Sequence, residues 1–274
     1  MDPLAGWRDA LDRWSLSPDG APFGTPGSDL LPVRWRDRPA MLKRANTSEE
    51  RAGAAVLRWW GGDGAAEVFA HDGDIVLMER ATGTASLMTM ALDGRDDEAT
   101  RILCGTVEHL HRPRPGAPDA ELVPLREWFA SLERAHGDDP RYRRSWDAAL
   151  GLFADPRDPV VLHGDVHHDN VLDFGARGWL AIDPKCVVGE RGYDYANLLT
   201  NPDLPTAADP VRFARQLAVV VAASGVPRER LLRWVLAFAG LSAAWFDEDG
   251  ESAERERDFA VADLAAAQLR GSAS

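Results

Sequence analysis

Residues 163–170 read His-Gly-Asp-Val-His-His-Asp-Asn, and the apolar residues 160–162 precede them as a predicted strand. After Asn170, two apolar segments flank a glycine-containing turn at 174–178, a pattern that predicts a hairpin. A hairpin returns the chain to its starting point, so the later Asp183 comes back beside the polar run. Asp165, Asn170 and Asp183 are therefore predicted to converge on one pocket.

Three kinds of site compete for this run: a zinc site, a hydrolytic pair of carboxylates and a phosphoryl-transfer site. His163 and His167 share a face only on a helix, whereas the preceding strand and Gly164 disfavour a helix here. The sequence also lacks Gly-x-Ser-x-Gly and His-Glu-x-x-His, which disfavours serine hydrolases and zinc proteases. Phosphoryl transfer is the favoured chemistry, with His163 as a structural residue and no role assigned to His167 or His168.

Phosphoryl transfer needs a base, hard oxygen ligands for Mg²⁺ and a cation on the phosphates. Asp165 can be the base, Asn170 and Asp183 the Mg²⁺ ligands, and Lys43 the cation. The P-loop pattern Gly-x-x-x-x-Gly-Lys-Ser/Thr is absent, so a different phosphate-binding arrangement is expected.

The N-terminal part is predicted to contain strands and one helix. Strands are predicted at 30–35, 39–42, 68–70 and 74–79, and a helix begins at 48–50 and ends at the glycines 61–62. Glu50 shares the buried stripe of that helix and therefore needs a cation, for which Lys43 is the nearest candidate, although Glu49 is adjacent. The segment 17–28, too rich in glycine and proline for a helix, can present backbone N–H groups to phosphate oxygens near Gly27 and Ser28.

The rest of the chain is predicted to be mainly helical, after a hinge that follows Met78. A division into a lobe at 1–80 and a larger lobe at 81–274 follows. Besides a short helix at 4–14, helices are predicted at 95–111, 125–136, 141–153, 208–224, 228–246 and 254–270, with 251–258 as a solvated, charged helix start.

The composition restricts the partners. The 274 residues include 44 acidic and 31 basic side chains, a net charge of −13 that disfavours nucleic acid and anionic membranes and favours a cationic ligand. Two cysteines exclude a disulfide framework, and neither a signal peptide nor a membrane span is recognisable, so a cytoplasmic location is expected. No protein partner is predicted.

Five segments carry a resemblance to a known family. They are 162–175 (LHGDVHHDNVLDFG), 178–185 (GWLAIDPK), 188–197 (VGERGYDYAN), Trp59-Trp60-Gly61 and 77–81 (LMERA). The pattern His-x-Asp-x-x-x-x-Asn with a later Asp resembles the protein-kinase-like fold, and His163-Gly164-Asp165 is the variant typical of aminoglycoside phosphotransferases. The wider segments are similar to the streptomycin 6-kinase and hydroxyurea phosphotransferase family, and they cover most of the chain.

The resemblance implies an α+β bilobal fold, with a small antiparallel β lobe plus one helix and a larger, mainly helical lobe. It implies ATP and Mg²⁺ as cofactors, Asp165 as catalytic base, and Asn170 and Asp183 as metal ligands. It also implies that Lys43 and Glu50 hold the ATP phosphates. The backbone of Glu79 to Ala81 is then expected to bind adenine.

Asp173-Phe174-Gly175 spells the metal motif of protein kinases. Only three positions separate Asp173 from Asn170, which leaves no room for the intervening hairpin. We therefore assign Asp173 to the turn and Asp183 to the metal.

The implied reaction is phosphorylation of streptomycin, at the 6-hydroxyl, as an antibiotic-resistance activity. The candidate acceptor residues are acids of the larger lobe and one tryptophan: Glu190, Asp194, Trp245, Asp247, Glu248 and Asp249. Asp194 has an alternative role in bracing the catalytic loop, and Lys185 or Arg191 could screen the transferring phosphate. Two other hypotheses stay open: a kinase of hydroxyurea or a metabolite, and a catalytically silent nucleotide-binding protein.

Overall fold

The computed structural model describes residues 3–137 and 139–271. Its strands are β1 (Ser17–Pro18), β2 (Phe23–Gly24), β3 (Ser28–Trp35), β4 (Arg38–Ala45), β5 (Val68–Asp72), β6 (Ile75–Glu79), β7 (Val123–Pro124), β8 (Pro159–Leu162), β9 (Val171–Asp173), β10 (Trp179–Ala181) and β11 (Val187–Glu190). Its α-helices are α1 (Arg8–Arg13), α2 (Ser48–Trp60), α3 (Leu87–Leu92), α4 (Asp96–Leu110), α5 (Leu125–Trp128), α6 (Ala130–Ala135), α7 (Pro140–Ala154), α8 (Gly192–Asn197), α9 (Leu204–Ala207), α10 (Pro210–Ser224), α11 (Arg228–Glu248) and α12 (Ser252–Gly271).

A six-stranded antiparallel sheet occupies the N-terminal part, in the order β1-β3-β4-β6-β5, with β2 paired to β3. Side chains alternate between its faces, and Leu31, Val33 and Leu42 form a buried cluster with Trp7. Lys43, the next residue of β4, lies on the opposite face, toward α2. The predicted strands are present, whereas β1 and β2 occupy part of the segment 17–28 in which no strand was predicted.

Helix α2 lies against the segment that follows Asp183. Its N-terminus is capped by the hydroxyl of Thr47, which accepts from Glu50 N at 3.2 Å, and it ends at Gly61 in the left-handed conformation (φ 60°). At Gly53, a Cβ atom would lie 2.1 Å from the carbonyl oxygen of Pro184. Only glycine permits this approach, which places the N-terminal half of α2 against the site.

A linker without helix or strand, residues 80–86, joins the sheet to α3. It is attached to the β9–β10 hairpin, because Gly83 N donates to Asp173 O at 2.9 Å and Ala85 N donates to the Asp173 carboxylate at 3.2 Å. A Cβ atom on Gly83 would lie 1.8 Å from the carboxyl carbon of Asp173. The hairpin and the linker therefore pack in direct contact.

The C-terminal part is built around α11, which packs against α7, α8 and α12. The predicted helices are present, except that 125–136 forms two helices, α5 and α6, which meet at the buried Phe129. Strand β11, which was not predicted, pairs with β7 in parallel and with β8 in antiparallel. Among the described residues, no helix is long and apolar enough to cross a membrane.

Candidate active site

The loop that follows β8 is held by one buried carboxylate. Asp194 accepts from the backbone N–H groups of His163 and Gly164 at 2.9 Å each, and its side chain contacts Nε2 of His111 at 2.8 Å. Burial raises the pKa of Asp194. His111 and the backbone donors lower that pKa by more than burial raises it, so the pKa lies below its ordinary value. An ionised Asp194 thus fixes the start of the loop.

His163 is a structural residue of the same loop. Its side chain is fully buried, and its Nε2 lies 2.7 Å from the carbonyl oxygen of Ile182. Since a carbonyl oxygen only accepts, Nε2 carries a proton, and burial lowers the pKa of the ring so that it stays neutral. This bond ties the loop to the strand end that carries Asp183.

Asp165 and Asn170 lie together at the surface of the loop. Asn170 Nδ2 donates to the backbone oxygen of Asp165 at 2.9 Å and to its Oδ2 at 3.3 Å. Because the amide nitrogen of Asn170 faces Asp165, its amide oxygen remains available as a ligand.

The hairpin returns the chain as the sequence predicted. Ala181 pairs with Val171, and Ile182 N donates to the backbone oxygen of Asn170 at 2.9 Å. The next residue, Asp183, adopts a positive φ of 58° and places Oδ1 2.6 Å from Lys43 Nζ. Asp165, Asn170, Asp183 and Lys43 therefore lie in one site.

The oxygen donors fit a nucleotide-bound Mg²⁺. Within the described ranges, no group of three or more His, Cys, Asp or Glu side chains is placed to hold a metal by itself. Asn170 and Asp183 supply two hard oxygens, and Mg²⁺ commonly completes its coordination with phosphate oxygens and water. The same arrangement gives no support to a histidine zinc site.

Two lysines and two glutamates form an ion-pair cluster beside Asp183. Lys43 pairs with Glu50, while Lys185 Nζ lies 3.0 Å from Glu49, 3.2 Å from Glu50 and 3.9 Å from Asp165. Burial raises the pKa of Glu50, yet Lys43 and Lys185 hold it below its ordinary value. Burial lowers the pKa of Lys185, and the carboxylates of Asp165 and Glu49 outweigh that effect and raise it. The lysine next to the predicted base is therefore a cation.

The remaining residues predicted to contact the nucleotide lie at the β2–β3 turn and at the end of β6. Ser28 Oγ donates to Glu50 Oε2 at 3.3 Å, and a Cβ atom on Gly27 would lie 3.0 Å from the Glu50 side chain, so the β2–β3 turn covers the ion pair. Glu79 ends β6, its carboxylate pairs with Arg177, and Ala81 follows in the linker.

Asp173 is the last residue of β9 and pairs with Trp179, so it ends the strand before the turn to which the sequence analysis assigned it. Its carboxylate accepts from the backbone N–H groups of Gly175 at 2.9 Å and Ala85 at 3.2 Å. The Asp173 carboxylate thus binds backbone N–H groups of the hairpin and the linker, whereas Asp183 contacts Lys43.

Two cavities meet at Asp165, and we name them cavity A and cavity B. Cavity A has a volume of about 550 Å³, and cavity B about 450 Å³. Both are lined by Asp165, Phe238 and Trp245. Cavity A is further lined by Glu49, Glu127, Lys185, Glu248 and Asp249, with Val123, Trp128 and Gly164. Cavity B is further lined by His167, Asp169, Asn197, Thr200, Asn201, Pro202, Asp203, Leu204, Pro205, Ser242, Phe246, Glu254, Arg257 and Asp258.

The predicted acceptor residues divide into two groups. Trp245, Glu248 and Asp249 line cavity A. Glu248 also binds Arg134 at 2.7 Å and Ser131 at 3.0 Å.

Glu190, Asp194 and Asp247 do not line either cavity, which corrects the expectation that they contact the acceptor. Glu190 is only 5% exposed and binds Arg230 and Trp234, and Asp194 is fully buried against the loop. Asp247 instead pairs with Arg255. Of the two predicted phosphate-screening cations, Lys185 reaches the site, whereas Arg191 binds Tyr195 and Ser224.

Cavity B was missed by the sequence analysis. Its acids are scattered between residues 165 and 258, so no local motif marks them. Asp258 in particular was predicted to belong to a solvated helix start, yet it is fully buried. The sequence did contain a pattern that could have indicated this burial. Asp258 lies three residues before Val261 and in helical spacing with the apolar positions that follow, and this spacing places Asp258 on the buried face of α12.

Comparison with known proteins identifies relatives over most of the chain. A family model described as aminoglycoside/hydroxyurea antibiotic resistance kinase matches residues 13–250. The streptomycin 3''-kinase of Klebsiella pneumoniae is 51% identical over 245 residues, which are 88% of this chain and 92% of that protein. The streptomycin 6-kinase of Streptomyces griseus is 32% identical over 270 residues, 93% of this chain and 87% of that protein.

A solved structure is similar in fold. An amicoumacin kinase in complex with AMP-PNP and Ca²⁺ has a TM-score of 0.68 at 13% identity, over 94% of this chain and 93% of that chain. The predicted protein-kinase-like bilobal fold is thereby confirmed.

Proposed function

The chain belongs to the family of aminoglycoside/hydroxyurea antibiotic resistance kinases, and from that premise we propose that it transfers the γ-phosphoryl group of ATP to a hydroxyl of streptomycin. As a member it is a phosphotransferase with an alcohol group as acceptor. The observation that carries the proposal is the position of Asp165, which lies beside Asn170 and faces two cavities rich in carboxylates.

In the proposed reaction the acceptor hydroxyl is oriented by Asp165. Its oxygen forms a bond to the γ-phosphorus while the bond from that phosphorus to the bridging oxygen of ADP breaks, and the hydroxyl proton passes to the Asp165 carboxylate. Lys43, held by Glu50, stabilises negative charge on the ATP phosphates. Lys185 is 3.9 Å from Asp165 and supplies a second positive charge near the transferred group.

Further residues are proposed to bind the cofactors. The backbone of Gly27 and Ser28 contacts phosphate, and the backbone from Glu79 to Ala81 contacts adenine. When bound, Mg²⁺ neutralises phosphate charge, and Asn170 and Asp183 are the residues that would hold it.

The proposed acceptor site is cavity A, where Glu49, Glu127, Glu248 and Asp249 supply carboxylates and Trp245 supplies an apolar wall. Streptomycin carries guanidinium groups, which pair well with carboxylates. For the position of transfer, 51% identity to a 3''-kinase against 32% to a 6-kinase favours the 3''-hydroxyl over the 6-hydroxyl.

The experiment is incubation of the protein with ATP, Mg²⁺ and streptomycin, followed by mass spectrometry and phosphorus–proton NMR of the product. We expect a mass gain of one phosphate, located on the 3''-oxygen. Asp165→Asn is the matched control, because it keeps the shape of the side chain and removes the base; it should lower kcat by about 10²-fold or more. If wild-type protein yields no phosphorylated streptomycin, the proposed substrate is wrong.

A second candidate is phosphorylation of hydroxyurea, which the description of the matching family favours. An acceptor panel with ATP separates the two, since hydroxyurea is neutral and gains nothing from the carboxylates of cavity A. ATP binding without transfer to any acceptor would instead indicate a silent nucleotide-binding protein.

A further inference from the structure

Asp258 is a buried carboxylate in the wall of cavity B. It belongs to α12, its exposed fraction is 0%, and neither of its side-chain oxygens has a hydrogen-bond partner among the residues that the structure describes. The Ser242 hydroxyl on α11 lies close enough to lower the pKa of Asp258, but no hydrogen bond of standard geometry joins the two. A buried carboxylate without a donor or a cation destabilises a fold.

The other charges of cavity B do not neutralise this group. Besides Asp258 the cavity is lined by Asp165, Asp169, Asp203 and Glu254, against a single arginine, Arg257, and the ionisable His167. Arg257 pairs with Glu254, and Asp203 accepts from Thr206 N at 2.8 Å as a helix cap. The cavity therefore keeps a negative balance, and Asp258 is the carboxylate of its described lining that is both buried and without a partner.

We propose that cavity B is a second cation subsite of the acceptor, in which Asp258 receives a guanidinium or ammonium group of the molecule whose hydroxyl lies at Asp165. The proposal rests on the proposed function and extends it. Cavities A and B share Asp165, Phe238 and Trp245, so an acceptor with cationic groups at two ends spans both while its hydroxyl stays beside the base. A small acceptor fills one cavity only.

The ionisation of Asp258 supports this role. Burial raises its pKa to about 7; the Ser242 hydroxyl opposes that shift, and Glu254 adds to it. The groups that face it are Glu254 on its own helix, Ser242 on α11, and the cavity charges named above. A bound cation favours the carboxylate, so binding near pH 7 should release a proton from Asp258.

The test is calorimetric titration of streptomycin into the full-length protein saturated with AMP-PNP and Mg²⁺, in buffers of different ionisation enthalpy. At pH 7 the wild type should release about half a proton per streptomycin bound. Asp258→Asn should abolish that release and raise the streptomycin Kd at pH 8 about tenfold, with the ATP KM unchanged. Asp263→Asn is the matched control: it removes the same charge from the same helix, but Asp263 pairs with Arg144 and lines neither cavity.

Two results would overturn the cavity B subsite and leave the proposed function intact. In one, the Asp258→Asn protein binds streptomycin with the wild-type Kd and the wild-type proton release. In the other, Asp258→Asn lowers kcat and leaves the Kd unchanged. Streptomycin that binds with the expected proton release but is not phosphorylated contradicts the proposed function and supports the subsite. Wild-type protein that binds no streptomycin contradicts both.

Discussion

Asp173 and Asp183 are two aspartates of one hairpin to which the structure gives different contacts. Asp183 lies 2.6 Å from Lys43, whereas the Asp173 carboxylate accepts from the backbone N–H groups of Gly175 in the hairpin and Ala85 in the linker. We expect Asp183→Ala to lower kcat by about 10³-fold, because it removes a proposed metal ligand and the partner of Lys43.

Asp173→Ala serves as the comparison. It should retain turnover and lower the free energy of unfolding by about 1–3 kcal/mol, since it leaves two backbone donors without their acceptor. Steady-state kinetics and denaturant unfolding of both variants measure this contrast. Loss of turnover in Asp173→Ala with activity kept in Asp183→Ala would reverse the assignment.

A second prediction concerns Asp258 and the way in which the stability of the fold depends on pH. Its pKa is about 7 in the folded protein against an ordinary value of 3.8, so the folded state favours the protonated form. The stability that protonation provides is present below pH 3.8 and is lost as the pH rises through 7, a loss of up to roughly 4 kcal/mol. Asp258→Asn cannot ionise and should escape this loss.

Thermal unfolding of the ligand-free protein at pH 5 and pH 8 measures this difference. The difference in Tm, Asp258→Asn minus wild type, should be several degrees larger at pH 8 than at pH 5. Asp263→Asn, exposed on the same helix, should show no such change between the two pH values. An equal Tm difference at both pH values would mean that Asp258 does not titrate in this range.

Helix α2 shows how an element positions the site. Gly53 approaches the carbonyl oxygen of Pro184 so closely that a Cβ atom would lie 2.1 Å from it. Gly53→Ala should push α2 away from the 183–185 segment and thereby separate Glu50 from Lys43 and Asp183. We expect kcat/KM for ATP to fall by about tenfold or more, because small displacements of catalytic groups are costly.

The control for this variant is another helical glycine. At Gly105, in the middle of α4, an added Cβ atom meets nothing within 4 Å. Gly105→Ala should leave the kinetics unchanged and raise the free energy of unfolding by about 0.5–1 kcal/mol, since alanine favours helix. Wild-type ATP kinetics in Gly53→Ala would show that the contact with Pro184 does not set the position of α2.

The strands and the hairpin around the motif at residues 163–170 were predictable from the sequence, and the acceptor cavities were not. The hairpin was recognisable because two apolar segments flank a glycine-containing turn, and its register alone returns Asp183 to Asn170. Glu190 was misjudged because closeness to Asp183 along the chain says nothing about burial, and Glu190 lies inside, bound to Arg230. Of the two roles given to Asp194, the buried contact with the loop amides fits the bracing role and not contact with the acceptor. Asp258 was missed because its environment is created by the packing of α12 on α11.

For the whole molecule we propose the division at 1–80 and 81–274, with residues 80–86 as the connection between a nucleotide lobe and an acceptor lobe. Residues 1–2, 138 and 272–274 of these ranges lie outside the described residues. The linker is bonded to the β9–β10 hairpin through Gly83 and Ala85. The adenine-binding backbone proposed for Glu79 to Ala81 is therefore attached to the hairpin that also carries Asp183.

The net charge of −13 gives a prediction for the molecule as a whole. The charged side chains that line cavities A and B are mainly carboxylates, so a cationic acceptor is attracted and ATP is repelled before either binds. Because salt screens both effects, raising KCl from about 0.05 M to about 0.5 M should raise the KM for streptomycin roughly threefold or more. The KM for ATP should stay constant or fall.

Sucrose at matched osmolality is the control, since it changes water activity without screening charge. The opposite response of the two substrates distinguishes attraction at the acceptor cavities from a general effect of salt on the enzyme. If both KM values rise together, salt weakens the fold or the phosphate contacts, and the negative charge of the cavities does not guide the acceptor. If the KM for streptomycin is insensitive to KCl but rises in Asp258→Asn, the acceptor is held by short-range pairing inside the cavities, where screening is weak.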